Sequence, residues 1–151
     1  MNKLEQIKIF IVDDDTFFQN LVMFELQKTG YQNILTFNNG TDFLDNLYQK
    51  PDLVILDYNM PDYNGLQILK EVMSIDPDIN VILVSAQNQI EVAIDTMRFG
   101  AVDYVVKNSA GINLLCDKIQ DIISFKKVNT ANTSILQKMT NTARVFMSIL
   151  P

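Results

Sequence analysis

Five short apolar runs alternating with five helical segments confine this chain to one broad architecture. The runs are Lys8 to Val12, Asn33 to Phe37, Leu53 to Asp57, Val81 to Ser85 and Val102 to Val106. Leu53-Val54-Ile55-Leu56 and Val81-Ile82-Leu83-Val84 are apolar at every position, the pattern of strands covered on both faces. No hairpin signal joins neighbouring runs, so the strands are expected to be parallel, with helices on both faces of one sheet.

The helical segments carry their own stops. Thr16 to Lys28 places Phe17, Leu21 and Phe24 at the spacing of one apolar helical face, and Gly30 ends it. Thr41 to Gln49 reads as a short helix, with Pro51 punctuating before the third strand. Asn64 or Gly65 opens a helix running through Leu66, Ile68, Leu69 and Val72 to Ser74, and Asp76-Pro77-Asp78 breaks it. Ile90 to Phe99 is closed by Gly100, and Ala110 to Lys126 is the fifth helix.

Carboxylates collect where these strands end. Asp13-Asp14-Asp15 follows the first run and Asp57 closes the third, with Ser85 on the fourth and Lys107 just past the fifth. In open α/β sheets that carboxyl edge is where ligands bind. Two carboxylates about 4 Å apart repel by roughly 4 kcal/mol at an effective dielectric near 20, so something must offset the crowding. Carboxylates, a hydroxyl and an ammonium suit a Mg²⁺ ion beside a phosphoryl group: the hard cation takes oxygen ligands, Lys107 neutralises one phosphate oxygen and Ser85 donates to another.

Five separated motifs, in order, then carry a resemblance. Asp13-Asp14, Asp57 followed by Asn59-Met60-Pro61 and Gly65, Ser85-Ala86, and Tyr104 three residues before Lys107 closely resemble the receiver domain of two-component response regulators, over about residues 5 to 126. The resemblance implies a flavodoxin-like (βα)5 fold, a doubly wound five-stranded parallel sheet, here with an extra C-terminal helix. It implies Asp57 as phosphoacceptor, attacking a phosphohistidine on a sensor histidine kinase or a histidine phosphotransfer protein. Asp14, Asp57 and the backbone carbonyl of Asn59 would hold Mg²⁺, with Asp13 reaching it through a water. Lys107 would pair with Asp57 and then with the phosphate, Ser85 would close onto the phosphate, and Tyr104 would swing inward, changing the surface of the fourth helix and fifth strand. Such a chain is a signalling phosphoacceptor with slow autodephosphorylation, not an enzyme in the ordinary sense.

Plainer roles compete at some of these positions. Asp15 fits an N-cap for the helix starting at Thr16, Gly65 a helix-start glycine, and Tyr104 a half-buried aromatic. The family commonly has proline after the lysine, joined by a cis peptide, whereas Asn108 stands here, and a cis bond to a non-proline costs about 2.5–4 kcal/mol. Ser85 stands where threonine is frequent.

Absences exclude whole classes of chemistry. The chain has no histidine, so a Ser-His-Asp or Cys-His triad, a His-ligated zinc and an internal phosphohistidine donor are impossible. A net charge of −6 argues against a nucleic-acid surface. No run approaches the roughly 20 apolar residues of a membrane span, which places the chain in the cytoplasm. The lone Cys116 lies in the apolar pattern Ile112, Leu115, Ile119, Ile122 and reads as an inert buried thiol. Two rival functions follow from the same acids. A haloacid-dehalogenase-type phosphatase also uses an Asp nucleophile with Mg²⁺, but Asp13-x-Asp15 is followed by Phe17 at the third required position, and no cap domain is evident. A receiver-like module that binds partners without phosphorylation would not need the complete pocket.

With 151 residues, the chain suits one receiver domain, 1–127, and a helical extension or linker, 128–151. That extension opens with Asn129, Thr130, Asn132 and Thr133, then spaces Leu136, Met139, Ala143, Phe146 and Leu150 as a two-heptad seam. The seam suits packing on its own domain, pairing with a second copy, or a lead into an output domain. The fourth-helix and fifth-strand face is the other surface expected to form a homodimer.

Overall fold

A computed structural model describes residues 2–147, the side chains at 127, 130, 131 and 134–147 excepted. Five strands are built from the five apolar runs: β1 (Ile9–Val12), β2 (Ile34–Phe37), β3 (Leu53–Asp57), β4 (Asn80–Ser85) and β5 (Asp103–Val106). They form one parallel sheet in the order β2-β1-β3-β4-β5. β1, apolar throughout, and β3, apolar up to Asp57, lie side by side within it, and every residue of both is buried, as strands covered on both faces must be. The edge strand β2 is only half-buried.

Between the strands run α1 (Thr16–Lys28), α2 (Gly40–Asp45), α3 (Gly65–Ile75) and α4 (Ile90–Arg98), and α5 (Ser109–Met147) follows β5. Gly30 and Gly100 take positive φ just past α1 and α4, as terminating glycines do. Phe43 meets Phe10 and Phe37 edge to face, and Phe10 and Phe37 lie tilted on each other, at the core that Ile68, Leu69 and Val72 of α3 help to fill.

Four details depart from the sequence reading. The Phe17, Leu21, Phe24 face of α1 is not the one it buries: Phe18, Gln19, Val22 and Leu26 are buried, whereas Phe17 is 75% and Phe24 58% exposed. The segment after α2 does not continue as α-helix; Asn46 ends α2 and a 3₁₀ turn spans Leu47–Gln49. Another 3₁₀ turn spans Lys3–Gln6. Cys116 is half-buried, not fully enclosed.

The extra C-terminal helix is present as an unbroken continuation of α5. Asn129, Thr130, Asn132 and Thr133 are modest helix formers, but none is glycine or proline, and the Thr133 hydroxyl donates 2.9 Å to the carbonyl of Asn129 one turn back. Leu136, Met139, Ala143 and Phe146 fall on this helix, and Leu150 lies outside the described residues. The chain divides into two compact units, Met1–Cys116 and Asp117–Pro151; the first contains the sheet and α1 to α4. Among the described residues, no helix is long and apolar enough to cross a membrane.

Candidate phosphoacceptor site

Register alone brings the acids together. Strand order reverses direction between β1 and β3, so the carboxyl edge opens a crevice there. Val12 pairs with Leu56, which sets Asp13 level with Asp57 on the adjacent strand. Ser85 pairs with Val106 and accepts the Lys107 backbone N–H at 2.7 Å through its carbonyl, so Lys107 leaves the sheet at the same edge. Carboxylate oxygens of Asp13, Asp14 and Asp57 all lie within 4.8 Å of one another.

Within this cluster the acids have different surroundings. Asp13 is fully buried, Asp57 4% exposed, and Asp14 exposed at the rim. Asp15 is drawn into the backbone: its carboxylate accepts from the N–H groups of Phe17 and Phe18 at 3.0 and 3.2 Å, the N-cap expected of it. That use leaves half of the Asp13-x-Asp15 phosphatase motif committed to a helix end. Asp13 Oδ1 accepts from the Asp15 N–H at 2.9 Å.

Lys107 supplies the countercharge. Its Nζ stands 2.6 Å from Asp13 Oδ2 and 3.1 Å from Asp57 Oδ1, and 4.7 Å from the centroid of the buried Phe18 ring. Asp13 Oδ2 is buried, and the ammonium is the one group that faces it among the described residues. Burial pushes Asp57 up to about 6 and the charge of Asp13 adds to the shift, against the lowering pull of Lys107 and the Asn59 N–H. Burial likewise raises Asp13, the Lys107 and Asp15 contacts only partly opposing it. For Lys107, burial favours the neutral amine, but Asp13 and then Asp57 outweigh it and hold the ammonium above its ordinary range.

The donor set fits Mg²⁺. One buried carboxylate oxygen faces only the ammonium, two further carboxylates lie within reach, and burial, with the neighbouring carboxylates adding to it, raises both buried acids; a hard dication that takes oxygen ligands answers all three. The Asn59 backbone is fixed beside them by an antiparallel bridge to Asn64. Gly65 closes the loop with its N–H on the Tyr58 carbonyl at 2.7 Å, and a Cβ there would lie 2.9 Å from the carbonyl oxygen of Asp57, so the close approach requires glycine.

Ser85 is 1% exposed, and its hydroxyl accepts from the Gln87 N–H at 3.2 Å. Tyr104 is half-buried and its hydroxyl donates to the Gln87 carbonyl at 2.9 Å, so Ser85 and Tyr104 contact opposite ends of one residue. The Lys107–Asn108 bond is trans, as are all the described peptide bonds. Asn108 takes a different part: its side chain accepts from the Gly111 N–H at 2.7 Å in the first turn of α5.

Two neighbours escaped the sequence reading. Phe18 lies over Lys107, and the buried Gln19 donates through Nε2 to the carbonyls of Asp13 at 2.6 Å and Phe37 at 2.8 Å, tying the ends of β1 and β2 together. A glutamine after two phenylalanines looks like a surface residue, and the faint signal was that Phe18, Val22 and Leu26 form an arc as apolar as the one chosen.

Residues 9–120 match the family model described as the response regulator receiver domain. This chain belongs to that family. It is 35% identical over 101 residues to the chemotaxis protein CheY of Thermotoga maritima, covering 66% of this chain and 84% of the relative, and 34% identical over 104 residues to the transcriptional regulatory protein ZraR of Klebsiella oxytoca, covering 68% of this chain but 23% of that one. Among solved structures, the BeF3-activated DrrB receiver domain superposes with a TM-score of 0.70 at 31% identity over 78% of this chain and 97% of that one. A receiver domain from Clostridium thermocellum gives 0.72 at 30% identity, over 80% and 97%. The receiver is a signalling phosphoacceptor fold that works with histidine kinases and output domains, and binds Mg²⁺ at an acidic cluster such as this one.

Proposed function

We propose that Asp57 is the phosphoacceptor of this receiver and that Lys107, Ser85 and Tyr104 convert its phosphorylation into a surface change. A carboxylate oxygen of Asp57 attacks the phosphorus of a partner's phosphohistidine; the P–N bond breaks, its electron pair returns to the imidazole, and an aspartyl phosphate forms. The phosphohistidine lies outside these 151 residues, which contain no histidine. The partner is a sensor histidine kinase or a histidine phosphotransfer protein.

Asp14, Asp57 and the Asn59 carbonyl would hold Mg²⁺, with Asp13 reaching it through water. When bound, the ion neutralises charge on the transferring phosphoryl oxygens. Lys107 holds Asp57 in place before transfer and pairs with a phosphate oxygen after it. The Ser85 hydroxyl then exchanges the Gln87 N–H for the phosphate, which frees Gln87 and with it the anchor of the Tyr104 hydroxyl. Slow hydrolysis of the acyl phosphate resets the domain. The same reading places the domain in the cytoplasm, takes 1–127 as receiver and 128–151 as extension or linker, and gives two homodimer faces: the extension, and α4 with β5.

The observation that carries this reading is the pair of contacts from one ammonium to two buried, proton-hungry carboxylates on adjacent strands. Acetyl phosphate supplies the test. With Mg²⁺, intact-mass and peptide analysis should find a gain of about 80 Da on Asp57, absent in Asp57→Asn and after chelation. No gain from any phosphodonor would point to a phosphorylation-independent binding module.

A further inference from the structure

The loop between β3 and α3 is held at its tip by a contact to α2 that none of the acceptor chemistry explains. Asp62 accepts from the Gly40 N–H at 3.0 Å, the Thr41 N–H at 2.8 Å and the Thr41 hydroxyl at 2.8 Å, across more than twenty residues of sequence. Its Oδ1 also accepts from the N–H of Tyr63 at 3.0 Å. Tyr63 and Ile68 press on Gly40 so closely that a Cβ there would lie 2.8 and 2.6 Å from their side-chain carbons. Thus the first two residues of α2 are seated on the loop by both polar and apolar contacts.

The base of this loop is closed, by the Asn59 to Asn64 bridge and the Gly65 to Tyr58 hydrogen bond. Pro61 stiffens the side between base and tip. The Asn59 carbonyl belongs to the peptide that leads from this base into the tip, and Asp62 is what fastens the tip to α2. We propose that Asp62 is a positioning residue for the cation: by fastening the tip to α2 it preorganises the Asn59 carbonyl, and it couples the N-terminus of α2 to occupancy of the acidic pocket. This rests on the Mg²⁺ reading above.

Three physical points support the coupling. The bonds are charge-assisted, from backbone donors to a carboxylate, and are the stronger kind. The slight burial of Asp62 favours its protonated form, but the hydrogen bonds from Gly40 and Thr41 overcome this and bring the carboxyl to about 2, so the clasp is ionised throughout the neutral range. A loop ordered before binding loses less entropy when it takes a ligand, and the linkage is reciprocal: what strengthens Mg²⁺ binding is strengthened by it.

α2 supplies its own control. Asn39 also caps this helix, its side chain accepting from the Asp42 N–H at 2.7 Å and donating to the Asp42 carboxylate at 2.8 Å, both within α2. Asp62→Ala and Asn39→Ala therefore each remove an α2 cap, and only the first releases the loop. In the full chain, with variants shown folded by circular dichroism, calorimetric titration with MgCl₂ should show affinity roughly 5-fold weaker in Asp62→Ala, roughly 2-fold weaker in Asp62→Asn, which keeps one acceptor oxygen, and unchanged in Asn39→Ala. Amide exchange at Gly40 and Thr41 should slow on Mg²⁺ addition in the wild type and in Asn39→Ala, and not in Asp62→Ala. Equal Mg²⁺ affinity in wild type and Asp62→Ala, or equal weakening by both alanine variants, would overturn the clasp while leaving the acceptor reading intact. A wild type that binds no Mg²⁺ would overturn both.

Discussion

The helices α3 and α4 follow adjacent strands of one sheet, yet the chain holds them very differently. α3 begins with a capping box, Asn64 accepting from the Gln67 N–H and Gln67 from the Asn64 N–H at 2.9 Å each, and buries Gly65, Ile68, Leu69 and Val72. α4 has Gln89 at its N-cap position with no side-chain cap, buries only Thr96, and leaves Ile90 72%, Ile94 52% and Met97 46% exposed. Fixed packing supports the helix that carries the loop of the acceptor, while the helix beyond Ser85 is lightly tethered and apolar outward. An element that must respond to a phosphoryl group is drawn from the less stable end of a structure, and an exposed apolar face is a surface for a partner.

Core truncations should display this contrast most strongly. Ile68→Ala should lower unfolding free energy by about 3–4 kcal/mol, whereas Ile94→Ala should stay within about 0.5 kcal/mol, both read from urea midpoints at constant slope. A loss above about 2 kcal/mol at Ile94 would break the comparison. Lys107→Ala should cost about 3 kcal/mol at neutral pH without Mg²⁺, because two buried carboxylates lose their shared cation. The double variant with Asp57→Asn should recover part of that loss.

Next in size is the pH dependence. Because folding raises Asp57 from 3.8 to about 6, the folded protein binds that proton more tightly than the unfolded chain. The resulting stability is fully present below about pH 4 and is lost as pH rises through about 6, an effect on the order of 3 kcal/mol in the cation-free protein. Saturating Mg²⁺ should flatten this slope, since the ion favours the ionised carboxylate. Smallest is Tyr104→Phe, which removes the bond to the Gln87 carbonyl: about 0.5–1 kcal/mol, with faster amide exchange confined to Gln87 and the start of α4.

How much of this could be read from the chain depended on the kind of information required. β1, β3 and β4 were legible because a strand buried on both faces is apolar throughout, and Asp13, Asp57, Ser85 and Lys107 were legible because parallel register carries strand ends to one edge. The face of α1 was not, because Phe17-Leu21-Phe24 and Phe18-Val22-Leu26 are equally apolar arcs and only the sheet chooses between them. The polar stretch Asn129 to Thr133 read as a break before a separate helical extension or linker, although the absence of glycine and proline between Gly111 and Pro151 permitted one long helix. Gln19 and Asp62 act through contacts distant in sequence, which no local spacing encodes.

The central claim is that the state of the Asp57 pocket is read out at α4 and β5 and not at α3. Backbone amide shifts of the full chain, recorded with Mg²⁺ and then with Mg²⁺ plus beryllofluoride, test it most directly. The account predicts that the beryllofluoride step moves Ser85 through Val106 together, with Ile68, Leu69 and Val72 nearly still. Shifts confined to the pocket acids, or spread equally over α3 and α4, would contradict it.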